Sequence, residues 1–183
     1  MKIRFMQQAL ILTMIALFSG GCVVMAQMAE RKGNKAYQRQ DYATAFEQYS
    51  EAADNGSATA QYHLAVMYAE GQGIQEDMTK AAALLQQASA QGQEDAQLML
   101  GLFYVYGDGV QQDPAKGAEW IKTSAEKGND VAMYYLGNLY AAGLGVTKDI
   151  PTALYWMGQA KDSGFPVKDD HLTEAGLASL YES

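Results

Sequence analysis

One cysteine in 183 residues, Cys22, excludes a disulfide framework, a cysteine-rich zinc site and a CxxC redox pair. Two histidines, His63 and His171, leave too little material for a metal site. Basic residues are few: 13 Lys and Arg face 21 Asp and Glu, for a net charge of −8. No Lys/Arg run is available to neutralise phosphates, so nucleic acid is not an expected partner. Acid excess allows a basic partner, but its ordinary consequence is solubility. Three prolines and 18 glycines fit neither a collagen-like nor a low-complexity chain. What is present, 49% hydrophobic residues, supports one domain or one short repeat array with a real core.

The N-terminus reads as an export leader. Lys2 and Arg4 precede Ala9 to Phe18, an apolar stretch of ten residues. That is about half the length that spans a bilayer as a helix, and the pattern is that of a secretory signal peptide. Two processing points compete. Val24-Met25-Ala26 suits a cut before Gln27, giving a signal peptide over 1–26 and a periplasmic protein of charge −10 without cysteine. Ser19-Gly20-Gly21-Cys22 offers a lipobox, giving a leader over 1–21 and a lipidated Cys22 on an outer-membrane lipoprotein. Ser19 departs from the aliphatic residue usual at that position. Membrane attachment is expected only in the second case.

A shift of 36 residues superposes the rest of the chain on itself. Ala60 falls on Ala96 and Ala132, Leu64 on Leu100 and Leu136, Tyr68 on Tyr104 and Tyr140. The pair Gly71 and Gly73 recurs as Gly107 and Gly109, then as Gly143 and Gly145. Asp77 recurs as Asp113 and Asp149, and Gly92 as Gly128 and Gly164. Each unit reads as helix, glycine loop, helix. Ala60, Leu64, Met67 and Tyr68 have helical spacing, and the glycines supply the left-handed backbone of a helix exit. The aspartates sit where a carboxylate caps the second helix and meets its dipole, with Pro114 at a first helical position. Ala65, Gly101 and Gly137 form one small-residue column, and Ala81, Gly117 and Ala153 another, which lets antiparallel helices approach closely. Repeat boundaries follow at 57–92, 93–128 and 129–164. Residues 28–56 form an N-terminal unit whose first helix, about 28–39, is out of register and lacks the glycine pair. Residues 165–183 end in a helix from Asp169 to Tyr181, either a C-terminal cap or a truncated fourth repeat. One helix pair cannot bury its own apolar face, so the pairs must stack.

The units AQLMLGLFYVYGDGVQQDPAKGAEWIKTSAEKG, from Ala96, and AMYYLGNLYAAGLGVTKDIPTALYWMGQAKDSG, from Ala132, resemble the Sel-one-like repeat (SLR) family of the tetratricopeptide superfamily. The Ala60 copy departs from that pattern at Ala65, Ile74 and Leu84, and GNKAYQRQDYATAFEQYSEAA looks more like an ordinary tetratricopeptide unit. The resemblance implies an all-α fold, a right-handed α-α superhelical solenoid. It also implies a concave groove lined by first helices. The groove positions carry over to Tyr62, Val66 and Glu70, to Leu98, Leu102 and Tyr106, and to Tyr134, Asn138 and Ala142. Partner contacts are expected from Tyr62, Leu98, Leu102, Tyr106, Tyr134 and Asn138. The Tyr62 and Tyr134 column also suits packing, whereas Tyr106 departs from its column mates.

The function expected is that of a non-enzymatic scaffold or adaptor in the bacterial cell envelope, holding a protein or peptide in the groove. The alternative is a lipoprotein scaffold of an export or polysaccharide machine. Cysteine-rich members of the family are associated with β-lactam binding or hydrolysis, but the cysteine pairs of those repeats are missing here. No catalytic residue, metal site or cofactor is expected. The GxG loops follow helices rather than strands and lack GK[ST] or GxGxxG, so they are not phosphate loops. His63 and His171 have no Ser or Cys partner for a triad.

Overall fold

The structure, a computed structural model, describes residues 21–181, without the side chains of 170 and 178–181. The apolar leader core, Ala9 to Phe18, and the lipobox residues Ser19 and Gly20 lie outside the described residues. The described residues are helical, with no strand among them. Helix α1 covers 21–38, α2 Tyr42–Asp54, α3 Ala58–Glu70, α4 Met78–Ala90 and α5 Glu94–Tyr106. Helix α6 covers Pro114–Glu126, α7 Asp130–Ala142 and α8 Ile150–Asp162. A 3-10 turn over Asp169–Leu172 precedes α9, Glu174–Tyr181. Helices α2 to α8 each have 13 residues, so the repeat in sequence is a repeat in helix length. This is the α-α solenoid class read from the sequence. The chain divides into two compact units, Met1–Glu76 and Asp77–Ser183.

In the first unit, α1 is already helical at 21, the first described residue, ahead of the start expected at about 28. Nothing in Val23 to Gln27 breaks a helix, and Ala26 extends the buried row of Ala29, Gly33 and Ala36. Gly33 is required there, because a Cβ would lie 2.7 Å from the Tyr49 ring. Tyr49 is fully buried, donates its O–H to Asn34 Oδ1 at 2.7 Å and stacks on His63 at 4.8 Å. Burial raises its phenol to a pKa of about 12, with Tyr37 and Glu30 adding to the rise. The α1–α2 turn has no glycine pair, and Gln40 takes the left-handed backbone instead, with φ 61°. Ser57 caps α3 by accepting from the Ala60 N–H, and its own hydroxyl donates to Glu30 Oε2 at 2.7 Å.

In the second unit, α5 packs on α6, α7 on α8, α4 on α5 and α6 on α7. The α5–α6 crossing is close because both partners are glycine. A Cβ on Gly117 would meet Gly101 O at 2.6 Å, and one on Gly101 would meet Ile121 Cγ1 at 2.5 Å. Leu100, Ile121, Leu136 and Met157 are buried without residue. Asp77, Asp113 and Asp149 cap α4, α6 and α8 by accepting from the backbone N–H of Lys80, Lys116 and Thr152. That bond from Lys80 holds the Asp77 carboxyl below the usual carboxylate range.

The loops carry the inter-repeat fit. Gly71, Gly107 and Gly143 are left-handed helix caps, and the Asp113 and Asp149 N–H groups return to Tyr104 O and Tyr140 O at 2.8 and 3.0 Å. The second glycine of each loop sits on the start of the preceding second helix. A Cβ on Gly109 would lie 2.1 Å from Met78 O, one on Gly145 2.1 Å from Pro114 O, and one on Gly73 2.6 Å from Tyr42 Cβ. Each contact reaches back the same 31 residues.

The final segment is not one helix from Asp169 to Tyr181. Thr173 takes an extended backbone, and its Oγ1 accepts from the Gly176 N–H, so it caps a new helix and separates the 3-10 turn from α9. Leu177 is buried, and Leu172 packs beside it on Ala141, Ala153, Met157 and Ala160. Helix α9 thereby covers α7 and α8.

Candidate protein-docking face

The first helix of each repeat is apolar on nearly all sides, so its exposed positions are the informative ones. In α5, Leu98 is 9% exposed and belongs to the core with Val105, Ile121 and Leu136. Leu102, one turn on, is half-buried and packs against that same cluster. Tyr106 ends the helix and is 62% exposed. Its column mates Glu70 and Ala142 are exposed as well, so the repeat makes this a solvent position and packing does not require a tyrosine there. In α7, Tyr134 and Asn138 are half-buried. The Tyr134 ring stacks on Phe165 at 4.9 Å, which ties it to the C-terminal segment. Tyr62 stands in the first unit, half-buried, with its ring tilted against His63 at 5.4 Å.

Leu102, Tyr106 and Asn138 therefore keep accessible surface on α5 and α7. Leu98 lies mostly within the core, and Tyr134 is half engaged by the cap. The Phe165 contact was hidden from the sequence, because its column mates Ser57, Gln93 and Asn129 are polar helix caps and give no sign of an aromatic contact. A second polar surface was also missed. Tyr104, Val110, Gln112, Asp113 and Lys116 line a depression of about 430 Å³ over the loop of this repeat. Lys116 Nζ lies 4.2 Å above the Tyr104 ring, and Gln86 Nε2 donates to the Tyr104 hydroxyl at 3.3 Å. Hydrogen bonding of the ammonium to the Tyr104 side chain raises Lys116 above its ordinary value. The only signal in sequence is a lysine one turn after the Asp113 cap.

His63 lies flat on Tyr49, and His171 is half-buried in the 3-10 turn. Among the described residues, no group of three or more His, Cys, Asp or Glu could hold a metal ion. No helix among them is long and apolar enough to cross a membrane.

The Sel1 repeat matches this chain four times, over residues 23–57, 58–93, 94–129 and 130–165. The chain belongs to the Sel1 repeat family. Sel1-repeat proteins serve in general as protein–protein interaction scaffolds and are typically non-enzymatic. This one is similar to a protective antigen present in uropathogenic Escherichia coli strains, which displays an SLR fold. The two share 33% identity with a TM-score of 0.74, over 84% of this chain and 33% of that one. It is also similar to a Sel1 repeat protein from Oxalobacter formigenes, at 27% identity and a TM-score of 0.69, over 78% of this chain and 58% of the other. The chain thus spans a third of the first relative and under two thirds of the second. No curated protein sequence matches it.

Proposed function

We propose that this Sel1-repeat protein is a non-enzymatic adaptor of the bacterial cell envelope that holds a protein or peptide along the face made by α5 and α7. The observation that carries the reading is Tyr106: a large aromatic, mostly exposed, at a position where packing asks for none. Tyrosine gives wide contact area at low entropic cost and is enriched where binding energy concentrates. Leu102 extends the apolar surface by one turn, and Asn138 adds a polar contact. The leader pattern from Lys2 to Phe18 supports the compartment. In-cell crosslinking tests the face. Wild type should capture a discrete envelope protein, and Tyr106→Asp should lose it with an unchanged melting temperature. Equal capture by both would remove α5 from the interface. Purified protein should not turn over nitrocefin, and clear hydrolysis would overturn the non-enzymatic reading.

A lipoprotein reading is favoured by one further observation. Ala26 is buried, and the first Sel1 repeat begins at residue 23. A cut before Gln27 removes that turn of α1, whereas a cut before Cys22, which is exposed, keeps the repeat whole. An intact mass decides between the two: diacylglycerol and acyl additions on a chain starting at Cys22, or an unmodified chain starting at Gln27.

A further inference from the structure

The charge of this protein is divided unevenly along its length. Residues 41–183 hold 20 acids and seven bases, while residues 21–40 hold four bases, Arg31, Lys32, Lys35 and Arg39, against Glu30 alone. Only Arg31 and Lys32 are adjacent in sequence, and the helix brings Lys35 beside them. Val24, Met28, Arg31, Lys32 and Lys35 recur at helical spacing along one stripe of α1, and Arg39 stands in the turn just after the helix. All are exposed, Val24 and Met28 by 55% and 58%. Met28, Arg31, Lys32 and Lys35 together line one shallow surface depression. The opposite side of the helix, Ala26, Ala29, Gly33 and Ala36, is what the protein buries. Among the described residues no ion pair joins any of the four bases to an acid, and Glu30 is engaged by Ser57.

We propose that this stripe of α1 docks the protein on an anionic phospholipid surface. The bases meet the headgroups while Met28 and Val24 enter the acyl boundary, the arrangement by which an interfacial helix binds. The acidic remainder is repelled by the same surface, so the protein is held with α1 toward the lipid. An acidic protein would satisfy the bases but leaves the exposed apolar end of the stripe unexplained. The inference extends the envelope reading, and its bases do not depend on the processing point: Met28, Arg31, Lys32 and Lys35 lie beyond both cuts, while Val24 takes part only in a chain that starts at Cys22.

The test is flotation of the mature protein, as the cell processes it, with two kinds of vesicle. One is phosphatidylcholine alone, and the other is equal parts phosphatidylglycerol and phosphatidylcholine. The readout is the ratio of the two affinities, to which any acyl group on Cys22 contributes equally on both sides. Wild type should favour the anionic vesicles at least tenfold. R31Q/K32Q/K35Q should lose roughly a hundredfold on them, about fivefold per base, and nothing on neutral vesicles. Raising the salt should erase the wild-type preference, a check that holds even if the variant folds poorly. Equal affinity of wild type for both vesicles overturns the proposal, as does an anionic preference that survives the triple change. Retention of an acidic protein by a chain that ignores both vesicles overturns it as well. Intact mass reads the processing point separately, so a failure there is distinguishable.

Discussion

Single glycines differ in why they cannot be replaced, and the differences are measurable. Gly109 has φ 62°, and a side chain there would also run into the Met78 carbonyl. Gly128 has φ 105° with open space around it. Gly109→Val should therefore cost roughly 2–4 kcal/mol, from backbone strain and overpacking together. Gly128→Ala should cost only about 1 kcal/mol, from the backbone alone. Urea denaturation of both variants separates the terms, and equal losses would mean that the contact with Met78 has no energetic weight. Tyr49 offers a pH-dependent counterpart. Its folded phenol is raised to about 12 from 10.0, so the neutral form is favoured in the fold. The stability this gives is complete below pH 10 and is lost as pH rises toward 12. Wild type should lose melting temperature through that window faster than Tyr49→Phe. Parallel curves for the two would show that Tyr49 titrates alike in both states. The glycines were legible because a left-handed exit recurs with the repeat. Tyr49 was not, since its burial depends on Gly33 and Asn34 in the helix that is out of register.

Between elements, spacing alone determines most of what packs. The small-residue columns were visible in the sequence, and the α5–α6 crossing shows their use: two glycines let the backbones touch. Gly117→Ala should cost about 1–3 kcal/mol by forcing α6 away from Gly101 O and Val105. Gly158→Ala, a helical glycine with nothing within 4 Å, should be neutral or slightly stabilising. If both have the same effect on the melting temperature, helix propensity and not the crossing governs the site. The helix ends were equally legible, because each second helix has its own aspartate cap. The C-terminal segment was not. Apolar periodicity continues across Thr173, and only the cap bond to Gly176 shows that the helix restarts there. That α1 already includes Val23 to Ala26 is hidden for a related reason, since a leader and a repeat helix share the same apolar character there.

On the scale of the whole molecule, the 36-residue period predicts what can be removed. Excision of 93–128 leaves Gly145 the same distance from Met78 that it now keeps from Pro114, so a loop still meets a seat. The shortened protein should melt cooperatively with helical circular dichroism, at a lower temperature, because stability in such arrays sums over neighbours. Excision of 93–124 puts every later column out of register and should give a chain without a cooperative transition. If the two deletions behave alike, the loops do not set the register. The candidate docking face was legible only where a residue broke its column, as Tyr106 does. The stripe on α1 has no column to break, because that helix is out of register with the 36-residue period.

The constant reach of 31 residues from each loop glycine to its seat has a direction. Every loop depends on a helix already behind it in the chain, and none of these three contacts depends on a helix still to come. A polypeptide emerging from a ribosome or a translocation channel, N-terminus first, therefore completes each receptor before the segment that fills it appears. Growth by one unit at a time leaves no loop waiting for a distant partner. The array is suited to assembling vectorially, in the order in which it is read.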